Sequence, residues 1–242
     1  MIYNNEFLKM CDKQAGLNAL TAGDNWIEEN NDWVTAILLE SSELIDSLDW
    51  KWWKKGDNNL ENARMELTDI LFFTMSFVLQ HKKHDDLFVL NNYLDTYDIK
   101  RHSSEFKYDL SIKDTIYKVK KLMCDVLVIE EMEILANAGK IYTDFTLQHK
   151  YSNVFINIIE IGHLLSITFE DLIKLYYSKL VLNKFRQANG YKEGTYVKHI
   201  RGNEDNVWLI TLSNEMKLTD DFEKDLFDKY DEFYKKETTD IQ

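Results

Sequence analysis

Residues 38–73 read LLESSELIDSLDWKWWKKGDNNLENARMELTDILFF. Two acid pairs stand out, Glu40 with Glu43 and Glu66 with Asp69, each three residues apart. At about 3.6 residues per turn such a pair lies on one face of a helix. Gly56 to Asn59 is a turn signal between them, so two helices, at about 31–54 and 60–82, run antiparallel with the pairs facing each other. Leu38, Leu39, Leu44 and Ile45 surround the first pair; Leu67, Ile70 and Leu71 surround the second. Four acids set among apolar residues repel one another and lose hydration unless cations sit between them. Hard carboxylate oxygens suit Mg²⁺ or Mn²⁺, which keep waters that a phosphate can replace. The plain alternative is a pair of acidic helices exposing their charges to water.

Outward from this stretch the hydrophobic spacing stays helical. Phe7, Leu8, Cys11, Leu17 and Leu20 predict a helix over about 4–20. Further helices are predicted at about 110–138, 150–166, 168–188 and 218–236. The helix at 60–82 is apolar on most of its circumference, which marks a central helix or one at a subunit interface. Pro is absent and Gly numbers 8, so few positions break a helix. The expectation is an all-α fold, one helical-bundle domain over 1–242, with a less regular insertion at about 83–108 and a structured loop at 189–206.

The 242 residues carry 29 Lys+Arg against 42 Asp+Glu, a formal net charge of -13. So acidic a surface argues against nucleic acid and anionic membrane as partners, since both are held through phosphate by Lys and Arg. No run of 18 apolar residues occurs, and the N-terminal MIYNNEFLKMCDKQ has no basic region leading into an apolar stretch. Cys11 and Cys124 form no metal or redox motif and read as reduced. A soluble, cytoplasmic protein is expected.

Against that charge, residues 179–201 stand apart. Lys179, Lys184, Arg186, Lys192, Lys198 and Arg201 face Glu193 alone, six minus one, or +5 locally. A basic segment in an acidic chain can focus a polyanionic substrate onto a site. Gly190 and Gly194 would let backbone N–H groups approach phosphate closely.

The ExxE and ExxD pairs around a tryptophan- and lysine-rich turn, followed by LVLNKFRQANGYKEGTYVKHIRGNEDN at 180–206 and preceded by Gln14 to Asn18, resemble the all-α nucleoside triphosphate pyrophosphohydrolases. Within them the chain is most similar to the dimeric dUTPases. The resemblance runs from residue 14 to 206 and is weakest between about 83 and 150. It implies Mg²⁺-dependent hydrolysis of dUTP, and of dUDP, to dUMP, which keeps uracil out of DNA and supplies dUMP. It also implies Glu40, Glu43, Glu66 and Asp69 as metal ligands, with Glu43 orienting or deprotonating the attacking water. The metals would bridge the phosphates and lower the pKa of a water. Arg186, Lys192 and Lys198 match phosphate-binding positions, with Lys51 and Lys54 as further phosphate contacts. Gln14 and Asn18 match uracil-binding positions, with Trp53 near the base and Asn183 near the sugar. An amide offers both donor and acceptor to the uracil edge; without the resemblance, Gln14 and Asn18 would read as ordinary helix-surface polarity. A homodimer is implied by the resemblance and agrees with the apolar third helix. Two other readings are a broader dCTP/dUTP or general dNTP pyrophosphohydrolase and a helical nucleotide-binding protein without catalysis.

Overall fold

A computed structural model of the protein describes residues 2–81, 111–138 and 144–238. Among the described residues eight helices form, α1 (Ile2–Ala22), α2 (Trp33–Asp46), α3 (Leu60–Gln80), α4 (Ile112–Asn137), α5 (Asp144–Leu164), α6 (Phe169–Ala188), α7 (Asp205–Asn214) and α8 (Phe222–Thr238). One antiparallel hairpin, β1 (His199–Ile200) with β2 (Asn203–Glu204), is the only sheet among the described residues. The all-α expectation holds; the insertion at 83–108 lies outside the described residues.

The apolar circumference of α3 is used inside the protomer. Leu67, Ile70, Met75 and Val78 are fully buried, and α1, α2, α5 and α6 all pack against this helix. The second option, an interface helix, is thereby not needed to explain its composition. Outward-facing apolar residues occur elsewhere, on α4 at Tyr117, Leu127, Val128 and Ile134. Cys11 and Cys124 are free thiols, and burial pushes the Cys11 thiol far above its usual range.

The helix α5 begins at Asp144, ahead of the expected start at about 150, and two further stretches depart more from the sequence reading. First, α2 ends at Asp46 instead of running to about 54. The reason is a competing set of side-chain bonds. Asp49 Oδ1 accepts from Gly56 N at 3.1 Å, Asn58 Oδ1 from Asp49 N at 2.8 Å, and Asn59 N reaches Ser47 O at 2.8 Å. Short polar side chains give the backbone partners that a helix would otherwise supply. The loop therefore spans Ser47–Asn59, and the Trp50–Trp53 cluster lies on it. Second, residues 199–214 are structured beyond a loop. Arg201 and Gly202 both have positive φ, 50° and 80°, the twist a two-residue hairpin turn requires, and α7 follows directly. Gly190 has φ of 82°, and a Cβ there would stand 2.0 Å from Thr195 Oγ1, so glycine serves the tight turn itself.

Candidate active site

One stripe of α3 organises the site. Asn62, Glu66, Asp69, Phe73 and Ser76 follow at steps of four, three, four and three, so they line one side of the helix. From Glu66 to Ser76 the stripe covers about 15 Å at 1.5 Å per residue. Its N-terminal end carries carboxylates, and its C-terminal end carries the Ser76 hydroxyl, on which two amides of α1 converge.

At the carboxylate end, α2 presents Glu40 and Glu43 to α3. Oxygens of Glu40, Glu43 and Glu66 all lie within 4.8 Å of one another. Glu66 is buried, Glu40 half-buried, and Glu43 exposed at the rim. Burial above all, then the charge of Asp69 and a hydrogen bond to Glu66, pushes the Glu40 carboxyl up to about 8. Burial and the charges of Asp69 and Glu43 raise Glu66 as well, against the lowering effect of its bond from Glu40. Asn62 Nδ2 donates to Glu66 Oε1 at 2.8 Å and to Ser47 Oγ at 2.8 Å, holding the carboxyl in place. Asp69 stands beside the trio but accepts a 2.8 Å hydrogen bond from Lys179 of α6. Clustered hard oxygens whose burial and mutual repulsion oppose ionisation fit a divalent metal.

At the other end, Gln14 and Asn18 of α1 are 2% and 4% exposed, so surface polarity is not their role. Gln14 Nε2 donates to Asn18 Oδ1 at 3.0 Å and to Ser76 Oγ at 3.1 Å; Asn18 Nδ2 reaches the same hydroxyl at 3.0 Å. Tyr176 of α6 closes the group, its hydroxyl 2.7 Å from Met10 O and 3.4 Å from Gln14 Oε1.

The dUTPase family model matches residues 6–191. The chain belongs to the dUTPase family. No curated protein matches it. As a dUTPase it hydrolyses dUTP, and all four carboxylates, Gln14, Asn18 and Arg186 fall inside the matched stretch. Lys192, Lys198, α7 and α8 fall beyond it.

The remaining candidate residues of this dUTPase are less concentrated. The +5 segment proves to be answered by acids from elsewhere in the chain. Lys184 meets Glu223 of α8 at 2.5 Å, Lys198 meets Glu204 at 3.3 Å, and Arg201 meets Glu237. Lys192 Nζ donates to Thr21 O at 2.9 Å, docking the loop on the end of α1. Arg186 is bound by Asp205 through two 2.7 Å bonds. In the α2–α3 loop, Lys51 meets Asp46 at 2.5 Å and lies over Trp50, Lys54 is exposed, and Trp53 stands edge-on to Trp50 and Trp52 with 58% of its surface exposed. Asn183 is half-buried on α6. Two residues in contact with the candidate residues escaped the site reading, Asn62 and Ser76. Both were findable, being on the helical stripe of the acids. No described helix is long and apolar enough to cross a membrane.

A pH dependence follows from Glu40 and Glu66. Their raised carboxyls hold protons in the folded protein that an unfolded chain releases above about pH 4.5. The stability they contribute is complete below that pH and is lost as pH rises, for Glu40 through about 8. A divalent cation takes the place of the protons, so its binding strengthens over the same window. Thermal melts of metal-free protein should therefore show Tm falling from about pH 5 to pH 8 in this cluster's window, with added cation restoring more at the alkaline end. An equal increment from cation at both pH values would contradict the shared-proton arrangement.

Proposed function

We propose that this dUTPase releases pyrophosphate from dUTP, leaving dUMP, with Mg²⁺ (or Mn²⁺) held by Glu40, Glu43, Glu66 and Asp69, and that it accepts dUDP as well. The single observation that carries this reading is the polar stripe of α3, which sets a carboxylate cluster and a buried amide cluster about 15 Å apart along one helix. That separation suits the extended length of a nucleoside triphosphate. Bound among the carboxylates, Mg²⁺ neutralises phosphate charge and lowers the pKa of a water. Everything else is work for the chain's own side chains. Glu43, the exposed member, orients the attacking water and accepts its proton at a carboxylate oxygen. Asn62 and Lys179 hold Glu66 and Asp69 in position. Arg186, Lys192 and Lys198, with Lys51 and Lys54 from the α2–α3 loop, meet the phosphates.

Gln14 and Asn18 exchange their mutual hydrogen bonds for bonds to the uracil edge, Trp53 packs near the base, and Asn183 near the sugar. A site whose buried amides pair with uracil leaves them mispaired when cytosine enters, which is how such pockets discriminate. The reading extends to one domain over the whole chain, a cytoplasmic homodimer, and no role for nucleic acid or membrane. The exposed apolar residues of α4 support association of two copies.

The test is pyrophosphate release from dUTP, dCTP, dTTP, dATP, dGTP and UTP in Mg²⁺. Release confined to dUTP is the expected result. Equal release from dCTP would remove the uracil assignment from Gln14 and Asn18 and leave a broader pyrophosphohydrolase.

A further inference from the structure

Asp205 opens α7 and is fully buried, more deeply than any other carboxylate among the described residues. Its Oδ2 accepts from Arg186 Nε and its Oδ1 from Arg186 Nη2, both at 2.7 Å, a side-on fork of two parallel bonds. Oδ1 also accepts the N–H of Asn206 at 2.9 Å, which ties the carboxylate to the first turn of α7. The ring of Tyr191 lies beneath the guanidinium, 5.5 Å from its carbon. Around the pair stand Tyr196, Tyr230 and Tyr234. Tyr196 and Tyr234 stack at 5.1 Å and 3°, and the Tyr234 hydroxyl accepts the N–H of Val197 at 2.8 Å. The basic loop is thus held against α8 at the place where Arg186 meets Asp205.

Burying an ion pair offers little net stability, because lost hydration offsets the attraction, and an apolar pair of similar volume often serves as well. What the fork does supply is direction. A guanidinium carries five N–H donors. Asp205 takes two along one edge, which leaves three on a group whose plane and edge no longer rotate.

We infer that Asp205 is a positioning residue of this dUTPase: it fixes the Arg186 guanidinium edge-on, so that its three remaining N–H donors are presented to the phosphates of dUTP. The inference rests on the reading of Arg186 as a phosphate contact, and it places a residue beyond the matched stretch, which ends at 191, in the service of the site.

The experiment is steady-state kinetics on Arg186→Ala, Asp205→Asn and the double variant, with inhibition by deoxyuridine and thermal melting measured alongside. Asp205→Asn keeps one acceptor and the helix start but loses the charged fork. It should raise KM for dUTP by about tenfold, the size of one charge-assisted bond, with kcat little changed. Deoxyuridine has no phosphate, so its Ki should stay at the parent value. In the Arg186→Ala background the second substitution should add nothing, because the two act through one contact. Additive losses, or a rise in the deoxyuridine Ki matching that in KM, would overturn the inference and leave Asp205 a structural residue. If Arg186→Ala keeps the parent KM, the phosphate reading of Arg186 fails and this inference falls with it. If Arg186→Ala raises KM and Asp205→Asn does not, the phosphate reading stands and the positioning role alone is lost. Asp205→Glu, which keeps the charge but displaces the fork by one methylene, decides the matter on the same readouts should Asp205→Asn fail to fold.

Discussion

Glu43→Gln should lower kcat for dUTP by about 100- to 1,000-fold while melting close to the parent protein. The magnitude follows from losing a contribution of several kcal/mol to the transition state, at 1.36 kcal/mol for each factor of about ten. The unchanged stability follows from the side chain's position. Glu43 is exposed at the rim of the cluster, whereas Leu44 beside it is fully buried and keeps α2 in place. Glutamine keeps the size and one oxygen of glutamate but cannot take up a proton from water at neutral pH. The corresponding change at Glu66 would mix two effects, because that carboxyl is buried and bonded to Asn62. Glu43 therefore separates chemistry from folding. Parent-like turnover by Glu43→Gln would remove it from the reaction; a large fall in Tm would show that its role is in packing.

Asn18→Ala is expected to have the next largest effect, lowering kcat/KM for dUTP by about 10- to 100-fold. The substitution takes away Asn18 Oδ1, which accepts from Gln14, and Asn18 Nδ2, which donates to Ser76. A buried polar group left without its partner costs about 1–3 kcal/mol, and the loss of a contact to the uracil edge is of similar size. Two outcomes are distinguishable because these terms act on different measurements. Loss of the amide network lowers Tm; loss of base recognition also narrows the preference for dUTP over dCTP. A lower Tm with kcat/KM and base preference intact would make the Gln14–Asn18–Ser76 group a structural network.

Much of this fold was legible because the signals are local. A chain without Pro and with continuous three- and four-residue apolar spacing has few ways to avoid helix, and seven of the helices were anticipated, five of them within a few residues at both ends. The acid pairs were legible for the same reason, since one turn of helix places Glu40 with Glu43 and Glu66 with Asp69. The end of α2 was not, because apolar Leu48, Trp50 and Trp53 continue the helical pattern while Asp49 and Asn58 quietly supply the loop with better hydrogen bonds. The helix α7 was overlooked as a continuation of the glycine-containing loop, and Arg-Gly is not the usual signature of a two-residue hairpin turn.

The basic segment shows what a charge count along the chain leaves out. Counting charge along the chain made it +5, yet Asp69, Asp205 and Glu223 come from more than 15 residues away to meet Lys179, Arg186 and Lys184. Linear charge is a property of a neighbourhood in sequence, whereas an ion pair is a property of a neighbourhood in space. Gln14 and Asn18 show the same limit from the other side. Their spacing alone describes a polar helix face, and only the packing of α1 on α3 makes them a buried pair around Ser76.

The measurement closest to the central claim is titration of Mg²⁺ into protein stripped with EDTA, following heat of binding and pyrophosphate release from dUTP in parallel, for the parent chain and for Glu40→Gln. The account predicts no release without the cation, recovery that tracks binding, and a Glu40→Gln variant impaired in both. Full turnover of dUTP in EDTA, or Mg²⁺ binding undiminished by Glu40→Gln, would contradict it.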